Sequence, residues 1–209
     1  MNFRDVQAAV VFTLVAAAPV LAQGTDRGFV RGLGGVSFAA EASPIYGGGV
    51  GFRIARNLMV TAEVGRIQNV IPQDVQDLLD LAEQEVELEI GAPVTIDAHI
   101  PVFFFLGGVR ADVPTSGRVK PFIEASAGVG HLSANVHAEV AGIDVSDEVN
   151  NLLDNETASK FMLAIGGGIS MQMSGSCWID AGYRYHRIAT EDPVSNTSAL
   201  YAALRFAFK

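Results

Sequence analysis

The chain has 209 residues, a formal net charge of -9 and a hydrophobic fraction of 49%. An acidic chain without a basic stripe lacks the electrostatic footprint of a nucleic-acid-binding protein, so we expect no nucleic-acid partner. The single cysteine, Cys177, excludes an intramolecular disulfide and a structural zinc site built on several cysteines.

The first 22 residues have the pattern of a secretory signal peptide. Arg4 precedes an apolar run from Ala8 to Val20, and Ala22 stands just before Gln23. The run is too short for a membrane-spanning helix, which needs about 20 apolar residues. We therefore expect residues 1–22 to be removed and residues 23–209 to form one domain.

Eight segments of the remaining chain alternate apolar and polar residues with a period of two, which predicts β-strands. They cover approximately 28–40, 45–55, 58–67, 95–111, 119–132, 160–173, 177–188 and 198–208. High apolar content without an apolar run of helix-spanning length favours apolar residues spread over alternate strand positions. We expect an all-β fold, an eight-stranded antiparallel up-and-down transmembrane β-barrel.

The connections between these segments are short at one end of the predicted barrel and longer at the other. Residues 56–57 and 174–176 are tight turns, whereas 68–94 and 133–159 are long. Outer-membrane barrels combine short periplasmic turns with longer extracellular loops, so both termini are expected on the periplasmic side.

The two long loops are acidic and carry helical patterns. Neither Lys nor Arg occurs between Arg66 and Arg110 or between Lys120 and Lys160. Apolar residues recur at spacings of three and four in each loop, which predicts two short amphipathic helices at the barrel mouth. These residues are Val75, Leu78, Leu79 and Ala82 in the first loop and Val145, Val149, Leu152 and Leu153 in the second.

One face of the predicted strands carries no charge, and the opposite face combines charges with glycine. An eight-stranded barrel is only just wide enough for its interior side chains, so small residues make room for charges that pair across the lumen. We therefore expect a plugged or very narrow lumen filled by a charge network. Its predicted members are Arg31, Arg53, Glu63, Glu124, Asp180, Arg184 and Arg205.

Two features of the inner face can be interpreted only when the strand register is known. Phe122 and Trp178 are expected to face the lumen, where we favour packing over ligand binding. A bulge or register change around Pro101 would decide which face Arg110 takes. The sequence alone leaves both orientations of Arg110 open.

Four stretches of the chain carry a family resemblance. They are the hairpin GGGVGFRIARNLMVTAEVG at 47–65, the strand VKPFIEASAGVG at 119–130, the strand DAGYRYHR at 180–187 and the aromatic C-terminal strand. Together they resemble the small bacterial outer-membrane β-barrel superfamily that includes OmpA-like, OmpW-like and opacity-type proteins. One departure is that Lys209 follows Phe208, whereas the family's assembly signal usually ends on the aromatic residue.

The resemblance implies where the protein resides and what it contacts. It implies export through the periplasm after signal-peptide cleavage, insertion by the barrel-assembly machinery and residence in the bacterial outer membrane. The partners implied are outer-membrane lipid and lipopolysaccharide. The extracellular ligand is not identified by the sequence.

We expect a non-enzymatic barrel, structural or narrow and porin-like, with no catalytic residues, cofactor or metal. Two alternatives stay open. Similarity to outer-membrane lipid A deacylases would make His131 and Ser133 a catalytic pair at the outer end of a strand, with Glu139 orienting the imidazole. The acidic loops would instead suit a surface adhesin.

Overall fold

Eight antiparallel strands close into a barrel in the computed structural model, which describes residues 27–91, 93–133, 135–140, 143–144, 146, 158–189 and 195–208. The predicted signal peptide, residues 1–22, lies outside the described residues. In chain order the elements are β1 (Gly28–Phe38), β2 (Ala42–Ala55), β3 (Leu58–Ile67), α1 (Gln73–Ile90), β4 (Val94–His99), β5 (Val102–Asp112), β6 (Val119–Leu132), β7 (Asn135–Val140), β8 (Ile143–Asp144), β9 (Ala158–Gln172), β10 (Cys177–Ile188) and β11 (Ser195–Phe208).

The barrel closes because its first and last strands pair. Around the wall the order is β1-β2-β3-β5-β6-β9-β10-β11, and β1 pairs antiparallel with both β2 and β11. Each barrel strand is therefore hydrogen-bonded to the next barrel strand along the chain, and the closed wall has no free edge. This arrangement confirms the predicted eight-stranded antiparallel up-and-down barrel.

The connections divide the barrel into two ends. The turn end holds Arg27, Phe208 and the connecting residues 56–57, 113–118 and 173–176. The loop end holds the described connecting residues 39–41, 68–91, 93–101, 133, 135–140, 143–144, 146 and 189. Short connections thus alternate with longer ones after the first hairpin, as the sequence pattern predicts.

The fourth predicted segment, 95–111, is two strands rather than one. It divides at Ile100 and Pro101, between β4 and β5. Pro101 has no N–H to donate to a neighbouring strand, which interrupts the hydrogen-bond ladder there. Strand β5 continues in the barrel wall between β3 and β6, whereas β4 pairs with β7 in a separate three-stranded sheet with β8 at the loop end.

The first of the two predicted loop helices is present as α1. It ends at Gly91, whose φ of 69° is left-handed and whose N–H donates a hydrogen bond of 2.8 Å to the carbonyl of Glu87. The second predicted helix lies outside the described residues except for residue 146. In the described part of the chain, no helix has the length and apolar character to cross a membrane.

The outer wall of the barrel is an apolar belt. Each barrel strand points large apolar side chains outward, where they are exposed, and an apolar surface of this extent marks a site of contact with something other than water. One such residue from each strand, in barrel order, is Val36, Phe52, Val60, Phe105, Ile123, Ile165, Tyr183 and Leu200.

Two inward glycines show how tightly the inner wall is built. A Cβ atom added at Gly128 would lie 2.0 Å from the carbonyl oxygen of Phe105, and one at Gly168 would lie 2.1 Å from that of Ala181. No side chain fits at these positions without moving a neighbouring strand. The space they leave is available to the long side chains described next.

Candidate functional site in the barrel lumen

The middle of the lumen is spanned by a central cluster, defined as Arg31, Glu63, Glu124, Arg184 and Tyr201. Arg31 Nη1 donates to Glu124 Oε2 at 2.9 Å, and its Nη2 donates to Glu63. Arg184 donates from Nε to Glu124 Oε1 at 3.0 Å and from Nη2 to Glu63 Oε2 at 3.2 Å. The Tyr201 hydroxyl donates to Glu124 Oε1 at 2.8 Å.

The central cluster crosses the bore rather than following one wall. Its residues come from β1, β3, β6, β10 and β11, and β1 is not a neighbour of β3, β6 or β10 in the barrel. Two guanidinium groups balance two carboxylates, and all four side chains are nearly fully buried. Buried charges are tolerated when they are paired and hydrogen-bonded in this way.

A second group of charges, the turn-side cluster, lies nearer the turn end and consists of Arg110, Asp112, Ser170, Asp180 and Arg205. Arg110 Nη1 donates to Asp180 Oδ2 at 2.7 Å, and its Nη2 donates to Ser170 Oγ at 2.5 Å. Arg110 Nε donates to Asp112 Oδ1 at 3.0 Å. Arg205 Nε lies 3.3 Å from Asp180 Oδ2. This cluster also pairs two cations with two carboxylates.

Aromatic rings lie against the guanidinium groups of the turn-side cluster. The Arg110 guanidinium lies 3.7 Å from the centroid of the buried Phe122 ring. Arg205 lies 5.0 Å from the Trp178 ring and 5.2 Å from the Phe29 ring. Phe122 and Trp178 therefore face the lumen as predicted, and both act as packing partners of cations.

Six of the seven residues predicted for the lumen network lie in the two clusters. Arg31, Glu63, Glu124 and Arg184 belong to the central cluster, and Asp180 and Arg205 belong to the turn-side cluster. Arg53 does not join them, and this corrects its assignment to the network.

Arg53 lies outside the network because it is too close to the turn end of the barrel. It lies near the turn-end terminus of β2, next to a register shift between Arg53 and Ala55, and its side chain is exposed. There it lines a small opening together with Arg27, Phe29, Met59 and Arg205. Period-two alternation assigned the correct face to Arg53 but carried no information on depth.

Four members of the clusters were absent from the predicted network: Ser170, Tyr201, Arg110 and Asp112, which lies just beyond the predicted segment 95–111. Ser170 stands between the outward Ile169 and Met171, and Tyr201 has the same parity as Arg205, so alternation alone indicates their inward orientation. Arg110 is different, because the break at Pro101 hides its parity. Its register opposite Glu124 of β6 places it inward.

The loop end of the lumen is covered by the loop-end seal, which consists of residues 69–71 and the side chains that hold them. Val70 and Ile71 are buried. Ser195 Oγ donates to the Val70 carbonyl at 2.9 Å, and Ser43 Oγ donates to the Asn69 carbonyl at 2.9 Å. The chain leaving β3 therefore folds back over the opening.

The three residues of the enzymatic alternative, His131, Ser133 and Glu139, lie at different positions near the loop end. His131 Nδ1 lies 3.2 Å from Ser159 Oγ, on the outward side of β6 and β9 near the loop end. Ser133 follows the end of β6, where its N–H donates to the Pro101 carbonyl at 3.2 Å. Glu139 lies on β7, and its side chain is outside the described part of the structure. Ser159 rather than Ser133 is thus the hydroxyl placed in contact with the imidazole.

A family model and several solved structures are similar to this chain. The model described as "Outer membrane protein beta-barrel domain" matches residues 8–206. Neisserial surface protein A has a TM-score of 0.51 and 17% sequence identity, over 87% of this chain and 96% of that one. At this identity the likeness concerns the fold alone.

Two further structures are similar at lower TM-scores. Ail, the attachment invasion locus protein of Yersinia pestis, has a TM-score of 0.46 and 15% identity over 87% of this chain and 100% of that one. The outer membrane enzyme PagL has a TM-score of 0.46 and 12% identity over 85% of this chain and 98% of that one. No curated protein sequence matches the chain.

Proposed function

Because the chain belongs to the outer membrane protein β-barrel domain family, we propose that it is a non-enzymatic outer-membrane barrel whose lumen is closed by its own side chains. The loop end faces the cell exterior and the turn end faces the periplasm, in keeping with the lengths of the connections. The apolar belt contacts outer-membrane lipid and lipopolysaccharide. The chain reaches the membrane through the periplasm without residues 1–22 and is inserted by the barrel-assembly machinery.

Two barriers in series along the lumen carry this proposal. The central cluster crosses the bore with paired charges from opposite walls. The loop-end seal then covers the opening with the buried Val70 and Ile71. A hydrated ion would have to displace both barriers, and separating buried charge pairs is costly.

Planar-bilayer recording of the refolded mature protein tests the closed lumen. We expect silent membranes for the wild type. A variant that weakens both barriers, E63A/R184A combined with V70S/I71S, is expected to open channels, whereas the exposed-site control R53A stays silent. Large and steady channels from the wild-type protein would overturn the proposal.

A second candidate, hydrolysis of an outer-leaflet lipid, is favoured by one contact. The His131 imidazole and the Ser159 hydroxyl lie 3.2 Å apart on the outward side of the barrel near the loop end. An imidazole beside a hydroxyl can take its proton and thereby activate the oxygen as a nucleophile. At this location the substrate within reach would be an ester of a lipid in the outer leaflet.

Mass spectrometry of lipid A from expressing cells distinguishes the two candidates. Hydrolysis predicts loss of an acyl chain with the wild type and with S133A, and full acylation with H131A and S159A. Unchanged acylation with all four proteins would remove the enzymatic candidate and leave the structural one.

A further inference from the structure

The extracellular helix α1 exposes a row of leucines. Leu78, Leu81 and Leu88 are 65%, 61% and 87% exposed. Together with the exposed Glu85 they form the leucine seam, whose positions 78, 81, 85 and 88 follow the three-four-three spacing of a helix face that packs against another helix. Isolated exposed leucines are ordinary, but a row with this spacing is a docking pattern.

A different face of α1 is already occupied. Val75, Leu79, Ala82 and Val86 are half-buried, and the helix packs against β4. The Glu83 carboxylate accepts a hydrogen bond from the Ile96 N–H of β4. The helix is therefore anchored to the loop-end sheet by one side, and the leucine seam lies on another side, where it is exposed.

The charge around the leucine seam indicates which kind of partner can bind there. Every charged residue of α1 is acidic, and no Lys or Arg occurs between Arg66 and Arg110. Asp77 and Glu85 are exposed at or beside the seam. A second copy of the helix or an anionic lipid surface would bring like charges together, whereas a basic partner would neutralise them.

We propose that the leucine seam docks a cationic amphipathic helix. Apolar residues of the partner pack on Leu78, Leu81 and Leu88, and its Lys or Arg side chains reach Asp77 and Glu85. This role gives a partner chemistry to the surface-adhesin alternative for the acidic loops. It does not depend on whether the lumen conducts.

Binding to a defined peptide tests the seam. The protein is placed in nanodiscs of zwitterionic phosphatidylcholine at physiological salt, and the probe is a labelled three-heptad peptide with Leu at positions a and d and Lys at e and g. Fluorescence anisotropy should show saturable binding that weakens as salt is raised. L81Q/L88Q should weaken it at least tenfold, since Gln preserves helix propensity but removes the apolar contact.

A matched pair of variants tests the charge assignment. D77N/E85Q removes two charges at the seam, and D80N/E87Q removes two exposed charges farther around the same helix. We expect the first to weaken binding several-fold more than the second, with circular dichroism showing the same helix content in both.

Three results would overturn the inference. The first is equal binding by wild type and L81Q/L88Q, and the second is equal binding of a control peptide with Glu in place of Lys. The third is wild-type self-association that L81Q/L88Q abolishes, which would assign the seam to a second copy of the chain.

Discussion

Arg110 illustrates how completely this barrel buries its charges. None of its side chain is exposed, and its three guanidinium nitrogens donate to Asp180, Ser170 and Asp112. A buried guanidinium group is stable only while its hydrogen bonds and its counter-charge are present, because burial removes its contact with water. The partners of Arg110 are therefore as important to the barrel as the residue itself.

Replacing Arg110 by Leu leaves the buried Asp180 with Arg205 as its remaining cation. We expect a loss of about 3–5 kcal/mol in the free energy of unfolding, since one partner of a buried pair is removed. Urea unfolding followed by the fluorescence of Trp178, the single tryptophan, measures the loss. The control Arg53→Leu removes an exposed arginine and should change stability by less than about 0.5 kcal/mol. Equal effects of the two substitutions would contradict the assignment of Arg110.

Replacing Tyr201 by Phe removes one neutral donor from the central cluster. The lost hydrogen bond goes to the charged Glu124, so we expect about 1.5–3 kcal/mol of destabilisation in the same unfolding measurement. Tyr185→Phe is the matched control, because Tyr185 faces outward and is partly exposed. A Tyr201→Phe variant as stable as that control would show that the Glu124 contact contributes nothing.

At this scale, strand alternation predicted much of the lumen and missed what depends on register. The inward orientation of Arg31, Glu63 and Glu124 follows from alternation within single strands. Which carboxylate meets which guanidinium group depends on how far each strand is shifted along its neighbours, and no local pattern records that shift. The partners of Arg110 and the isolation of Arg53 both depend on it.

At the scale of secondary-structure elements, the sequence pattern predicted the structure of the loops less well than that of the barrel strands. The helical spacing of Val75, Leu78 and Leu79 was sufficient to predict α1. The pairing of β4 with β7 was not predicted, because the two strands belong to different loops and each is only six residues long. Periodicity reports on one segment at a time, whereas this sheet exists through contacts between segments.

The C-terminal end of α1 is expected to depend on Gly91. Gly91→Ala forces a side chain into the left-handed region, which costs about 1 kcal/mol. Amides in the last turn of α1 should then exchange with deuterium about fivefold faster. The control Gly117→Ala changes an exposed turn glycine outside that backbone region and should leave this exchange unchanged. Identical exchange in both variants would argue against the cap.

For the whole molecule, the apolar belt determines which environment suits the barrel. The charged clusters lie inside the barrel and the apolar belt lies outside. This arrangement is the inverse of that in a water-soluble protein, which buries its apolar side chains. Such a barrel is stable where its outer wall contacts hydrocarbon. In water, the apolar belts of different molecules would associate with one another. Substitutions on the outer wall therefore report on the surrounding medium.

Ile165→Arg tests the membrane environment of the belt. Ile165 is 63% exposed and lies in the middle of β9, where lipid contact predicts a loss of about 2–4 kcal/mol in the free energy of unfolding from vesicles. Met173→Arg, at an exposed position beyond the strand at the turn end, should cost no more than about 1 kcal/mol. Similar small effects at both positions would mean that the belt contacts water.

The pairing of β1 with β11 has a consequence for how the barrel is assembled. Gly28 pairs with Phe208, and the Arg27 N–H donates to the Phe208 carbonyl at 3.2 Å. Strand β1 is the first barrel strand to be synthesised and β11 is the last. An intermediate that lacks β11 therefore has an open barrel wall. Closure of the wall requires all eight barrel strands, and until β11 pairs with β1 both strands expose an unpaired edge.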